Sequence, residues 1–237
     1  MTSLTPHASG SRPNMRLKLS SARVGRIACL ASRLFFLPLH RLAPPGAAPA
    51  AYARAVRRQH EDLAVRASVF VGTSLDGFIA RANGTFDFLP PGGGEPHGYD
   101  EFIATVDALV IGRKTFETVL GFDGWAYGKK PVFVLSSRPI ATAPAGAVVE
   151  RMSGAPTEIV SQLEARGIQH IYVDGGVTIQ QFLQAGLIQR LIITRVPVLI
   201  GTGIPLFGPL RRDISLKHVA TRQYASGLVQ SEYVVAA

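Results

Sequence analysis

From residue 67 onward the chain alternates short apolar runs with glycine-marked turns and amphipathic segments. ASVFVG at 67–72, DALVI at 107–111, KPVFVL at 130–135 and IYV at 171–173 are brief, nearly continuous apolar runs. Runs of that length bounded by turn residues predict buried strands. Between them, 99–106, 116–120, 158–165 and 177–185 predict helices. Asp100 and Glu101 suit the first turn of the first helix, Thr157 is placed to cap the third, and Gly167 and Gly186 are placed to end the last two. A short strand is expected over 147–149. After residue 189 only strands follow, at 190–198, 214–221 and 228–235, the last two joined through Ser226-Gly227. Helices interleaved with strands early and strands alone late predict an α/β fold. Its mixed sheet is flanked by helices and antiparallel at its C-terminal end.

Composition divides the chain in two. Overall, 47% of the 237 residues are hydrophobic and 17% are charged, which is globular rather than disordered. The formal net charge of +9 is unevenly placed. Residues 1–60 hold ten Lys or Arg and no acid, whereas 66–237 hold fifteen bases and fourteen acids. The high pI therefore belongs to a leader, 1–65, and argues against a nucleic-acid-binding domain at 66–237. The leader reads either as a targeting segment or as a disordered or misplaced extension. Cys29 is the only cysteine. It excludes an intrachain disulfide and a cysteine-based metal centre, and fits a cytoplasmic setting. No run reaches the roughly 18–20 apolar residues a membrane helix needs.

The candidate chemistry gathers at strand ends. Asp174-Gly175-Gly176 joins a strand to a helix. Paired glycines allow close backbone approach, and a helix start presents free N–H groups, so the turn suits a phosphate. Alone this is a weak signal, and it is not the dinucleotide fingerprint G-x-G-x-x-G. Gly112-Arg113-Lys114-Thr115 opens a second helix after a buried strand, and Ser136-Ser137-Arg138 follows a third strand. Both carry hydroxyls and bases suited to an anion. Asp87 and His97, near the Pro91–Gly94 loop, are residue types capable of catalysis.

Five motifs in order, TSLDGFIA at 73–80, VDALVIGRKTFE at 106–117, VLSSRP at 134–139, IYVDGGVTIQQFL at 171–183 and VPVLIGTGIPLF at 196–207, resemble the dihydrofolate-reductase-like superfamily. They resemble most its riboflavin-biosynthesis reductase branch, the C-terminal domain of the bacterial bifunctional deaminase-reductase. The resemblance covers about 67–235. It implies a three-layer α/β/α reductase domain at 66–237 with a mostly parallel central sheet, NADPH as cofactor, and a homodimer. It also implies that Gly112, Arg113 and Thr115 meet the adenosine phosphate and pyrophosphate. Ser136, Ser137 and Arg138 would hold the 2′-phosphate side, and Gly175, Gly176, Val177 and Thr178 would cradle the pyrophosphate. Ser74 and Asp76, with Gly77, would lie near the nicotinamide and a small-molecule substrate. Asp87 is the third candidate catalytic residue. Leu199, Gly201 and Gly203 would approach from the other side.

The reading that follows is an NADPH-dependent reductase of a small heterocycle, similar to the reductase that acts on a ribosylaminopyrimidine phosphate. It uses no metal, nucleic acid or membrane. A non-catalytic nucleotide-binding protein on the same fold is the alternative. Binding of nucleic acid through the leader is the third possibility.

Overall fold

The computed structural model describes residues 65–90 and 95–236. The expectations for the basic leader, for Cys29 and for the Pro91–Gly94 loop lie outside the described residues. Among the described residues, ten strands and four helices follow in chain order. They are β1 (Arg66–Ser74), β2 (Phe78–Ala80), α1 (Tyr99–Ala104), β3 (Ala108–Gly112), α2 (Arg113–Leu120), β4 (Val132–Leu135) and β5 (Val149–Met152). Then come α3 (Pro156–Glu164), β6 (His170–Asp174), α4 (Gly176–Gln184), β7 (Arg190–Val196), β8 (Ile204–Pro205), β9 (Leu216–Gln223) and β10 (Val229–Val235).

Eight strands form one sheet in the order β5-β4-β3-β6-β1-β7-β10-β9. β5 through β7 run parallel, β10 is antiparallel to β7, and β9 is antiparallel to β10. β2 and β8 pair separately as a short antiparallel ladder. The chain is thus an α/β protein of three layers, with a mixed, mostly parallel central sheet and antiparallel C-terminal strands.

The apolar runs are continuous because both faces of the central strands are covered. Side chains alternate between the faces with period two. Val69, Val71, Val110, Ile171 and Val173 join Ile159, Leu163, Ile179 and Phe182 of α3 and α4 in one core. Leu109, Ile111 and Tyr172 join Phe102, Phe116 and Val119 of α1 and α2 in the other. Phe116, Phe182 and Ile179 are wholly buried. At ~25 cal/mol per Å² of apolar surface removed from water, each contributes about 2–3 kcal/mol.

Local boundaries differ from expectation for identifiable reasons. α3 starts one residue before the expected cap, because Pro156 supplies the fixed φ of a first helical position. Thr157 is therefore inside the helix, and Glu158 reaches back to accept from the Ala155 N–H at 2.9 Å. Asp107 stands outside β3 because its carboxylate accepts from the N–H groups of Gln169 and His170, at 2.9 and 2.8 Å. α2 begins at Arg113, three residues earlier than the apolar pattern alone suggested.

Candidate functional site

Adjacent parallel strands β3 and β6 send the chain to opposite faces of the sheet. Ile111 lies opposite Asp174 in their register. Beyond β3, α2 packs its Phe116 and Val119 on one face. Beyond β6, α4 packs its Ile179 and Phe182 on the other. A crevice opens where neighbouring strands diverge in this way, and in open α/β sheets ligands occupy it.

Both helices start there without a side-chain cap, after Gly112 and after Gly175. Their first N–H groups and the positive ends of their dipoles are left for a ligand. The two starts touch each other. A Cβ on Gly112 would lie 2.9 Å from Thr178 Oγ1, and a Cβ on Gly175 would run into the Thr115 side chain. Gly175 also has φ 92°, a left-handed conformation that side chains resist. Gly112, Thr115, Gly175 and Thr178, expected to share a ligand, are thus in mutual contact. Gly176 follows at the first position of α4, and Val177, 65% exposed, stands at the rim. The cradle fits a pyrophosphate by its glycines, hydroxyls and free amides.

Arg113 occupies the first position of α2 and pairs with Glu117 one turn on, Nη1 to Oε1 at 2.5 Å. Gly112 is opposite Leu135 in the β3–β4 register, so α2 and the Ser136 turn leave neighbouring strands at the same level of the sheet. The Ser136 hydroxyl accepts from the Arg138 N–H at 3.0 Å and donates to the Arg138 carbonyl at 2.7 Å. This tight turn leaves Ser137 and Arg138 exposed. Arg113, Lys114 and Arg138 therefore form a basic rim on the β4 side of the crevice.

The motifs at 73–80 and 196–207 meet on the other side. Leu75 N–H donates to Val198 O, and Leu206 N–H to Gly77 O. The β2–β8 ladder lies over the start of α4, where a Cβ on Gly176 would come within 2.9 Å of Ile79 Cδ1. Asp76 ties the flap together by accepting from the N–H groups of Gly201, at 2.7 Å, and Ile200, at 3.2 Å. The Ser74 hydroxyl and then these backbone donors hold the Asp76 carboxyl below its usual range. Ser74 is fully buried, and its Oγ accepts from the Phe78 N–H at 3.0 Å. Asp87 is exposed and forms a two-point ion pair with Arg81, at 2.6 and 3.1 Å. Arg81 keeps it ionised by lowering its pKa. None of the described hydrogen bonds or ion pairs of Asp87 reaches the glycine cradle.

His97 is buried beside Tyr224, with ring centroids 4.7 Å apart. Gln230 Nε2 donates to the His97 carbonyl and to Thr194 Oγ1, tying that loop to β7 and β10. Burial lowers the His97 pKa and favours a neutral ring.

One titrating group at the crevice was read only as part of a turn. Asp174 ends β6, is 9% exposed, and accepts from the Gly175 N–H at 2.7 Å. Burial pushes its pKa up to about 6, against the lowering effect of that single hydrogen bond. The signal in the sequence was an acid closing an apolar strand with no base beside it. Among the described residues, no cluster of three or more His, Cys, Asp or Glu could hold a metal. No described helix is long and apolar enough to cross a membrane.

Known proteins share this fold. The family model for the RibD C-terminal domain matches residues 67–230. YwjB of Bacillus subtilis (strain 168), a protein of uncharacterised function, is 31% identical over 169 residues, covering 70% of this chain and 95% of its own. A crystal structure from Shewanella sp. PV-4, described as a riboflavin biosynthesis protein, is 38% identical with a TM-score of 0.67. It covers 73% of this chain and 100% of its own. Dihydrofolate reductase from Enterococcus faecalis, solved with NADP(H), shares the fold at 16% identity and a TM-score of 0.51, over 74% of this chain and 98% of that one. The chain belongs to the RibD C-terminal domain family, on the dihydrofolate-reductase-like fold.

Proposed function

We propose that the chain is an NADPH-dependent reductase of a small heterocyclic substrate, similar to the ribosylaminopyrimidine reductases of riboflavin biosynthesis. The observation that carries this reading is the meeting of two uncapped helix starts across Gly112, Thr115, Gly175 and Thr178. When bound, the reduced nicotinamide supplies the hydride. The protein binds the pyrophosphate on the amides of α2 and α4, and directs the 2′-phosphate to the basic rim of Arg113, Ser136, Ser137 and Arg138.

Reduction of a C=O or C=N group also consumes a proton. Asp76 and Asp87 are poor donors, since their hydrogen bonds favour the ionised form. Asp174, with its pKa near 6, holds a proton far more readily and sits at the crevice. In this reading Asp174 donates the proton and regains it from water. Ser74 and Asp76 shape the flap over the substrate side.

A non-catalytic nucleotide binder on the same fold is the second reading. It is favoured by the fact that Ser74, Asp76 and Asp87 are all engaged in local bonds. The test is titration of NADPH and NADH by nicotinamide fluorescence, followed by NADPH consumption with pyrimidine and pteridine substrates. Binding with turnover that declines as pH rises through about 6 supports the reductase. Tight binding without turnover supports the binder, and no binding of either nucleotide refutes both. A homodimer in the cytoplasm is the expected setting, to be checked by light scattering and cell fractionation.

A further inference from the structure

The basic rim beside the crevice contains one acid, and its placement has a cost for anion binding. Arg113, Lys114 and Arg138 all stand near the junction of β3, β4 and α2. Neither Lys114 nor Arg138 makes an ion pair among the described residues, whereas Arg113 is held by Glu117. Glu117 lies four residues along the same helix face, with its side chain 46% accessible and that of Arg113 33% accessible. Its carboxylate accepts from Arg113 Nη1, one of the guanidinium donors available to a phosphate, and it places a negative charge one helical turn from the start of α2. The first turn of α2 has no acidic residue, so this negative charge comes from the second turn.

We infer that Glu117 is a specificity-determining residue that competes with the 2′-phosphate for Arg113 and so limits the preference of the crevice for NADPH over NADH. The inference rests on the cofactor reading above. Glu117 touches neither the pyrophosphate cradle nor Asp174 through any described bond. Its effect is confined to the phosphate that distinguishes the two nucleotides. A dianion must displace or share the Glu117 partner, while NADH, which carries a hydroxyl there, leaves the ion pair intact. A partly exposed pair of this kind is modest in strength. Its removal as a competitor is accordingly worth about a two- to fivefold gain in affinity for the phosphorylated nucleotide.

The experiment compares wild type with Glu117→Gln by fluorescence titration of NADPH and NADH, and by competition with 2′-phospho-AMP and AMP. A thermal melt confirms that both chains are folded. Glu117→Gln is expected to bind NADPH and 2′-phospho-AMP about two- to fivefold more tightly, with NADH and AMP unchanged. The gain should vanish when Arg113→Gln is added, because the competition acts through that guanidinium. Weaker NADPH binding would mean that Glu117 orients Arg113 for the phosphate, and would overturn the inference. An unchanged ratio, or an equal gain for both nucleotides, would overturn it as well while leaving the cofactor reading intact. A wild-type chain that binds neither nucleotide would overturn the cofactor reading and this inference with it.

Discussion

Replacing Asp174 with Asn tests the electrostatics of the crevice without any ligand. Asn keeps an oxygen to accept from the Gly175 N–H, and removes the titration. A carboxyl raised from 3.8 to about 6 by burial makes the folded state hold its proton while the unfolded chain has released it. Below 3.8 both states are protonated and the group costs nothing. As pH rises from 3.8 to about 6 the unfolded state gains by ionising, so stability falls, and above 6 the loss is complete. At ~1.4 kcal/mol per pH unit the full loss is about 3 kcal/mol. Asp174→Asn should therefore gain about 3 kcal/mol over wild type at about pH 8, roughly half of that at about pH 5, and little below about pH 4. The gain at the upper pH corresponds to a Tm rise of roughly 6–12 °C for a chain of this size. Denaturant unfolding of both proteins at each pH measures the gap. Taking the difference cancels the other titrating groups, including His170. Burial lowers the pKa of that histidine, so its contribution runs in the opposite sense, with stability lost as pH falls below the ordinary value of 6.5. A gap that is the same at every pH, or an Asn variant less stable than wild type at about pH 8, would refute the assignment of Asp174 as a buried, unpaired acid.

Three further substitutions probe the cradle, the rim and the core. Gly175→Ala forces a side chain into a left-handed backbone and against Thr115. It should cost about 1–2 kcal/mol of stability from the backbone alone and weaken NADPH and NADH alike, as read by denaturation and fluorescence titration. Arg138→Gln should weaken NADPH about tenfold and NADH much less if, as proposed, the guanidinium serves the 2′-phosphate side. Equal losses for both nucleotides would place Arg138 elsewhere on the ligand. Phe182→Ala empties a wholly buried position beneath α4 and should cost about 3–5 kcal/mol in chemical denaturation; a loss under about 1 kcal/mol would mean that α4 is not anchored by this contact.

The parts of the fold written into single segments were legible in the sequence. Val110, Ile171 and Val173 lie on strands buried on both faces, and that produces the short apolar runs from which the strands were read. Gly175 could be singled out because a doubled glycine between a strand and a helix marks a close backbone approach, though a plain tight turn leaves the same mark. Contacts between distant segments were not legible. No local pattern shows that Thr115 stands against Gly175, or that Thr178 stands against Gly112, because β3 and β6 become neighbours only when the sheet assembles. The same holds for Asp76. The family resemblance implied a place for it near a substrate, yet its carboxylate closes on the N–H groups of Ile200 and Gly201, residues more than 120 positions away. Asp174 shows the converse. Its residue type and place were plain, but its chemistry comes from desolvation, and desolvation depends on what packs around the strand end rather than on the turn in which the residue sits.

That distinction also bears on how the site works. A cradle made of backbone amides and glycines binds any pyrophosphate and discriminates poorly, because every dinucleotide presents the same group to it. Selectivity must come from side chains at the margins, and in this chain the margins differ. On the β4 side the rim is basic, with one competing acid, Glu117. On the β1 side the flap of β2 and β8 is held by a backbone-to-carboxylate clamp, and it presents Leu75 and Leu199, 57% and 69% exposed, to solvent. The first margin can read a phosphate and the second an apolar ring. If the flap does close over a heterocycle, breaking its clamp with Asp76→Ala, which removes the acceptor of the Ile200 and Gly201 N–H groups, should loosen the substrate side. It should raise KM for the heterocycle severalfold while leaving the affinity for NADPH unchanged, since the cradle and the rim share no described bond with Asp76. A variant that loses NADPH and substrate together would show that the flap and the cradle are one cooperative unit, and would refute the division of labour argued from these contacts.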